Sequence, residues 1–442
     1  MNLVRLLVLV FLFFASSAFA QSEPQAPRIT ADVVRPHILV DLTADRVLSA
    51  EAAFAPWHPA SLTKMMTTYT VLDMMRAGEI GPDTKVMMTW WAAEQSPSKM
   101  GFKPGTLIPL RDALAMIAVK SANDVSQAIA ESVTPGAPED FAARMNANAR
   151  KLGMTSSYFV NPHGLHHPDQ VTSARDMALL VRALRREFDD WMWLWKTPAI
   201  RTVKSAENPK PRTYRSFNAL LGRFRGADGM KTGFVCASGF NIVNTATRTM
   251  DDGTERTVLS VVLGAPSQEK RAETSAELME NGFAADPAGL PTLETLEPYG
   301  DTTTRTNLRS QICTEAARAN RYDGRDVEGR MVLDTDLITP RTRAPLTVRI
   351  EPQPPMPLPQ QKPASLGGPA DDGIEYAYGT PVPLTRPDDI ENGETPVEDT
   401  EPKEATGEEA KSAPAIAVES ASAVDASLAA RAAPLASGVS GQ

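Results

Sequence analysis

Two apolar, β-branched runs, residues 239–244 (GFNIVN) and 256–263 (RTVLSVVL), flank Asp251-Asp252-Gly253. An Asp-Gly turn between such runs makes them pair antiparallel, because a parallel partner needs a crossover of a dozen or more residues, usually a helix. Residues 230–235 just before this hairpin are strand-like too. So are 38–41 and 46–48 around the turn Leu42-Thr43-Ala44-Asp45. Between the two strand groups the apolar period becomes helical. Leu62, Met65, Met66, Tyr69, Leu72 and Met75 predict an amphipathic helix with Gly78 past its end. Leu110, Leu114, Ile117 and Ala118 predict a second, stopping near Ser121-Ala122-Asn123-Asp124. A third opens at Thr172-Ser173-Ala174-Arg175-Asp176, with Asp in place of Glu at capping-box spacing, and runs through Met177, Leu180, Val181 and Leu184. Strands at both ends with helices between them predict an α+β layout, an antiparallel sheet flanked by helices.

The 442 residues divide by composition. Residues 1–20 carry Arg5, an apolar run from Leu6 to Ala15, and Ala18-Phe19-Ala20, which is the pattern of a secretory signal peptide with Gln21 the expected mature N-terminus. Residues 21–290 read as one globular domain and 291–350 as a small extension of uncertain structure, with a short helix near Cys313 and strands at 331–333 and 346–350. Residues 351–442 read as a Pro-, Glu- and Ala-rich, largely disordered tail, and 14 of the chain's 36 prolines fall in 340–402. The formal charge of −9 belongs to that tail, since 388–411 hold ten acidic residues against two lysines. The rest is nearly neutral, which argues against a nucleic-acid groove. Residues 414–435 have few aromatics and no basic face, so a C-terminal membrane anchor is not expected. Two cysteines, Cys236 and Cys313, exclude a disulfide scaffold and leave one possible bridge.

The chemistry-bearing candidates lie in three short stretches. Ser61 and Lys64 are three residues apart at a helix start, which puts both side chains on one face near unpaired N–H groups. A lysine there can take the serine proton if burial or a neighbouring cation keeps it neutral. Ser121 and Asn123 sit where a helix ends, offering a hydroxyl and an amide on an exposed turn. Lys231 and Thr232 on a strand can grip a carboxylate, and Gly233 lets a substrate backbone approach. Each stretch alone is more often an ordinary cap, turn or strand edge.

Ser-x-x-Lys, Ser-x-Asn and Lys-Thr-Gly in this order form the motif set of the penicillin-recognising serine acyl-transfer enzymes. Residues 59–67 (PASLTKMMT), 161–165 (NPHGL) and 228–233 (DGMKTG) make the chain resemble the D-alanyl-D-alanine carboxypeptidases, the low-molecular-mass penicillin-binding proteins, over roughly residues 30–285. The resemblance implies a β-lactamase/transpeptidase-like fold and no metal or organic cofactor. It implies peptidoglycan stem peptides ending in D-Ala-D-Ala as substrates, β-lactams as covalent inhibitors, and an exported enzyme of the bacterial periplasm or envelope. Ser61 is the implied nucleophile, Lys64 the base, Ser121 the proton relay and Asn123 the group that orients Lys64. Lys231 and Thr232 would bind the terminal carboxylate, with Arg271 nearby, and the backbone N–H groups of Ser61 and Phe234 would form the oxyanion hole.

Three rivals remain at this stage. A β-lactamase shares the motifs, although Ala122 stands where the commonest class has Asp and no counterpart to its deacylating Glu is apparent. A weakly active cell-wall binding protein is a second. A metal site on His163, His166 and His167 is a third, although histidines on a loop beside proline are more often turn residues. The alternating Trp191, Trp193 and Trp195 read as packing residues.

Overall fold

The computed structural model describes residues 35–135, 137–202, 211–300, 302–319, 331–339 and 349–350. The expected signal peptide and tail lie outside these residues. In chain order the elements begin with β1 (His37–Asp41), β2 (Arg46–Glu51), a 3-10 turn Ala60–Leu62, α1 (Thr63–Arg76), β3 (Lys85–Met87), α2 (Trp90–Glu94) and β4 (Leu107–Pro109). Next come α3 (Leu110–Val119), α4 (Asn123–Val133), α5 (Pro138–Lys151), α6 (Ala174–Glu187), α7 (Trp193–Lys196), β5 (Ala199–Thr202) and β6 (Thr213–Arg215). The domain closes with β7 (Ala227–Val235), β8 (Gly239–Thr249), β9 (Glu255–Ala265) and α8 (Gln268–Ala284).

The main sheet has the order β2-β1-β9-β8-β7 and every neighbouring pair is antiparallel. The chain's first strands therefore close against its last ones, and the helices fill the span between. The β8–β9 hairpin pairs Thr249 with Glu255 across a turn in which Gly253 takes φ +82° and the Asp252 carboxylate accepts from the Thr254 N–H. Both faces are covered. Leu259 and Val261 belong to the large core with the central helices, while Ala246 and Val258 pack against Ala272, Ala276, Met279 and Phe283 of α8. β7 is left at the edge.

Helix α1 departs from the amphipathic pattern its apolar residues suggest. Thr63 through Leu72 and Met74 are all buried, because α3, α5 and α6 surround the helix. Its threonines tolerate this by turning their hydroxyls inward. Thr68 Oγ1 donates to the Lys64 carbonyl and Thr67 Oγ1 donates across to the Pro162 carbonyl. Ser173 caps α6 as its spacing suggests, accepting from the Asp176 N–H. The Asp176 carboxylate does not complete a capping box. It accepts instead from the Ser156 N–H and the Ser157 hydroxyl and fixes that turn.

Some of the described residues beyond 290 join the large core. Leu293, Leu308 and Ile312 are buried in it, the Leu308 N–H donates to the Ala237 carbonyl, and Cys236 forms a disulfide with Cys313. The expected helix near Cys313 is two short ones, α9 (Arg309–Ile312) and α10 (Glu315–Ala319). Of the expected strand at 346–350, Arg349–Ile350 is described; it forms β10, parallel to Arg201 and Thr202 of β5. The bridge closes a 77-residue span. Chain entropy therefore predicts that Cys236→Ser together with Cys313→Ser costs roughly 2–4 kcal/mol, read as a lower urea midpoint. An unchanged midpoint would show that the strap contributes nothing.

Candidate active site

Two glycines and one strained alanine place Ser61. Ala60 takes φ +47°, a region unfavourable for a residue with a Cβ, and opens the 3-10 turn that holds Ser61. A Cβ on Gly164 would lie 2.0 Å from the Ala60 carbonyl oxygen, and one on Gly233 would lie 2.9 Å from the Pro59 oxygen and 3.1 Å from the Ser61 nitrogen. Only glycine lets the 161–165 loop and β7 close on the turn from two sides. Gly233 thus admits the chain's own backbone at this turn. Asn241 on β8 secures the segment before the turn, its amide donating to the His58 and Pro59 carbonyls and accepting from the Gly264 N–H.

Lys64 is completely buried, and its amine meets three oxygens: Ser61 Oγ at 3.1 Å, Asn123 Oδ1 at 2.6 Å and the His163 carbonyl. Two of these can only accept. A neutral amine has two N–H bonds and one lone pair, so the N–H bonds go to Asn123 and His163 and the lone pair is left for the Ser61 hydroxyl. Burial pushes the Lys64 pKa well below 10.5, Lys231 pushes it further down, and Asp124 pulls partly against them. Geometry and electrostatics therefore both favour the base form.

The α3–α4 junction differs from the exposed turn expected. Ser121 and Asn123 are both buried, since α4 starts at Asn123 and buries the junction under residues 96–101. The Asn123 side chain donates to the Ser96 carbonyl, and its backbone N–H donates to the Ser98 carbonyl. Asp124 accepts from the Met100 and Gly101 N–H groups, although burial raises its pKa. Ser121 takes φ +60°, and among the described residues its hydroxyl has no hydrogen-bond partner. Strain and an unmatched buried hydroxyl coincide at Ser121, two residues before the Asn123 that accepts from Lys64.

On β7, Lys231 is buried, donates to the Thr232 carbonyl, and has its pKa lowered to about 7 by burial and then by Arg271. Thr232 is buried beside it. The Phe234 ring packs on Phe240 with centroids 4.3 Å apart, so its side chain belongs to the core. Arg271 is close enough to influence Lys231, but its guanidinium reaches the Phe217 carbonyl at 3.4 Å and lies over the Phe240 ring. The three motifs thus meet around one serine.

Sequence reasoning gave no role to the His163 carbonyl, Gly164 or Asp124. The Asn161-Pro162-His163-Gly164 stretch was the available signal for the first two. For the rival metal site, His163 Nδ1 accepts from the Leu165 N–H, His167 Nδ1 accepts from the Asp169 N–H, and the His58 and His166 rings meet edge to face at 4.8 Å. Among the described residues, no three His, Cys, Asp or Glu side chains are grouped as metal ligands. Trp195 is buried, and Trp191 and Trp193 pack against the same core.

Residues 20–267 match the D-alanyl-D-alanine carboxypeptidase family, peptidase S11. The chain belongs to that family. It is 36% identical over 281 residues to D-alanyl-D-alanine carboxypeptidase DacC of Escherichia coli, covering 62% of this chain and 66% of DacC. Among solved structures it is similar to D-alanyl-D-alanine carboxypeptidase DacD from Francisella tularensis, with TM-score 0.52 and 29% identity over 62% of this chain and 76% of that one. It is also similar to penicillin binding protein 6B from Escherichia coli, with TM-score 0.51 and 29% identity over 59% and 80% of the two chains. The chain spans about two thirds of DacC's length. The fold is that of the penicillin-binding carboxypeptidases, and no described helix is long and apolar enough to cross a membrane.

The Lys231 pKa has a thermodynamic consequence. Below about pH 7 both folded and unfolded forms carry its charge, and the folded state bears the full cost of burying it. Between about 7 and 10.5 the unfolded chain holds the extra proton, so stability rises with pH until the cost is gone. Lys231→Met is therefore expected to raise the melting temperature at pH 6.5, by an amount that shrinks towards zero near pH 10. A gain that grows with pH would contradict this sign.

Proposed function

We propose that this protein is a serine carboxypeptidase that removes the terminal D-alanine from peptidoglycan stem peptides ending in D-Ala-D-Ala. Lys64 takes the Ser61 proton as Oγ attacks the carbonyl carbon between the two D-alanines. The N–H groups of Ser61 and Phe234 hold the developing oxyanion, donors fixed before the charge appears. The C–N bond breaks as Ser121 passes a proton to the leaving amine, and D-alanine departs. Water then attacks the ester on Ser61 with Lys64 again the base, which frees the shortened peptide and restores the serine.

The observation that carries this reading is the Lys64 amine, whose two acceptor-only neighbours leave its lone pair for Ser61. Lys231 serves the other end of the substrate. At about pH 7 it is poised between charge states, and a bound carboxylate stabilises the protonated one. Asn123 orients both Lys64 and the substrate amide. The same attack opens a β-lactam ring and leaves a covalent adduct. Residues 1–20 would export the protein, placing the work in the periplasm.

Labelled penicillin is expected to add its mass to the peptide containing Ser61, and D-alanine release from a pentapeptide is expected to fall at least about a thousandfold in Ser61→Ala and in Lys64→Ala. Release at the parent rate in either variant would remove the assigned roles. Rapid turnover of penicillin without a lasting adduct would instead identify a β-lactamase.

A further inference from the structure

Lys120 is a cation next to the site that the reaction above does not use. It follows the last residue of α3 and precedes Ser121, and its side chain is part-buried. Its Nζ lies 5.7 Å from the centre of the Tyr214 ring and 5.6 Å from that of Phe217. Among the described residues it forms no hydrogen bond or ion pair through Nζ. Ring faces attract an ammonium but accept none of its N–H bonds conventionally, and these distances are near the outer limit of the effect. Asp124, the nearby carboxylate, is occupied by the Met100, Gly101 and Val125 N–H groups.

We propose that Lys120, held on the rings of Tyr214 and Phe217, is an outer anchor for the substrate's terminal carboxylate and a determinant of specificity for free acids. Phe217 fixes its place. The Phe217 carbonyl accepts from Arg271, which sits beside Lys231, while the Phe217 ring underlies Lys120. The cation is therefore joined through one residue to the carboxylate-gripping end of the site. Arg271, the sequence candidate for this duty, is buried and engaged with Phe217 and Phe240. Lys120 has more exposure and no such commitment, so an anion arriving from solvent completes its shell. Burial already lowers the Lys120 pKa, a cost that a bound carboxylate reverses.

This inference rests on the carboxypeptidase reading, and its test separates the two. An acetylated tripeptide ending in D-Ala-D-Ala and its C-terminal amide are compared with the parent protein, Lys120→Met and Lys120→Arg. Lys120→Met is expected to raise KM for the acid roughly tenfold, the lower end of a charge-assisted contact, with kcat within about twofold. The amide should be unaffected, and Lys120→Arg should restore acid binding. Equal losses for acid and amide, or an unchanged KM for the acid, would overturn the assignment. If the parent released neither D-alanine from the acid nor D-alaninamide from the amide, the carboxypeptidase reading would fall. Calorimetric preference of Ser61→Ala for acid over amide, with and without Lys120→Met, then still decides the role of Lys120.

Discussion

The structure depends on the burial of one amine. Removing a lysine from water is unfavourable for its charged form, and the fold places Lys64 where, among the described residues, no carboxylate pairs with it directly. Neighbouring Lys231 adds to that penalty and Asp124 reduces it only in part. The relief available is loss of the proton, and the loss creates a lone pair facing a hydroxyl. The same desolvation that is costly to stability thus makes the residue reactive.

The surroundings of Lys64 follow from that requirement. Each of the three oxygens around the amine comes from a different part of the chain: Ser61 from the turn before α1, Asn123 from the start of α4, and His163 from the loop closed by Gly164. None can drift without unsealing the amine, so the anchors behind them are backbone contacts. Asn241 ties residues 58 and 59 to β8, Asp124 ties residues 100 and 101 to α4, and Thr67 ties Pro162 to α1. Strain at Ala60 and Ser121 persists because these contacts over-determine the local backbone. Beyond residue 267, where the family match ends, Leu308 and the Cys236–Cys313 bridge extend the support to the end of β7.

Much of this was legible from residue patterns. The Asp-Gly hairpin gave the antiparallel sheet, the apolar period gave α1, α3 and α6, and three short motifs gave the serine, lysine and asparagine that meet. What failed had a common cause: one-dimensional patterns do not report what packs on the far side of an element. The apolar stripe of α1 looked like a single buried face, whereas its threonines hydrogen-bond inward and the helix is buried all round. The turn at Ser121 looked exposed because nothing local shows residues 96–101 covering it.

By itself, then, the sequence determined the order and type of the main elements and the three short motifs whose residues the fold brings together, because both are written in local spacing and side-chain chemistry. Only the tertiary structure decided that burial drives the Lys64 pKa down, that a backbone carbonyl at position 163 shares in holding its amine, and that Lys120 lies over the rings of Tyr214 and Phe217. Those are properties of distance and water exclusion between segments far apart in the chain, and no local spacing encodes them.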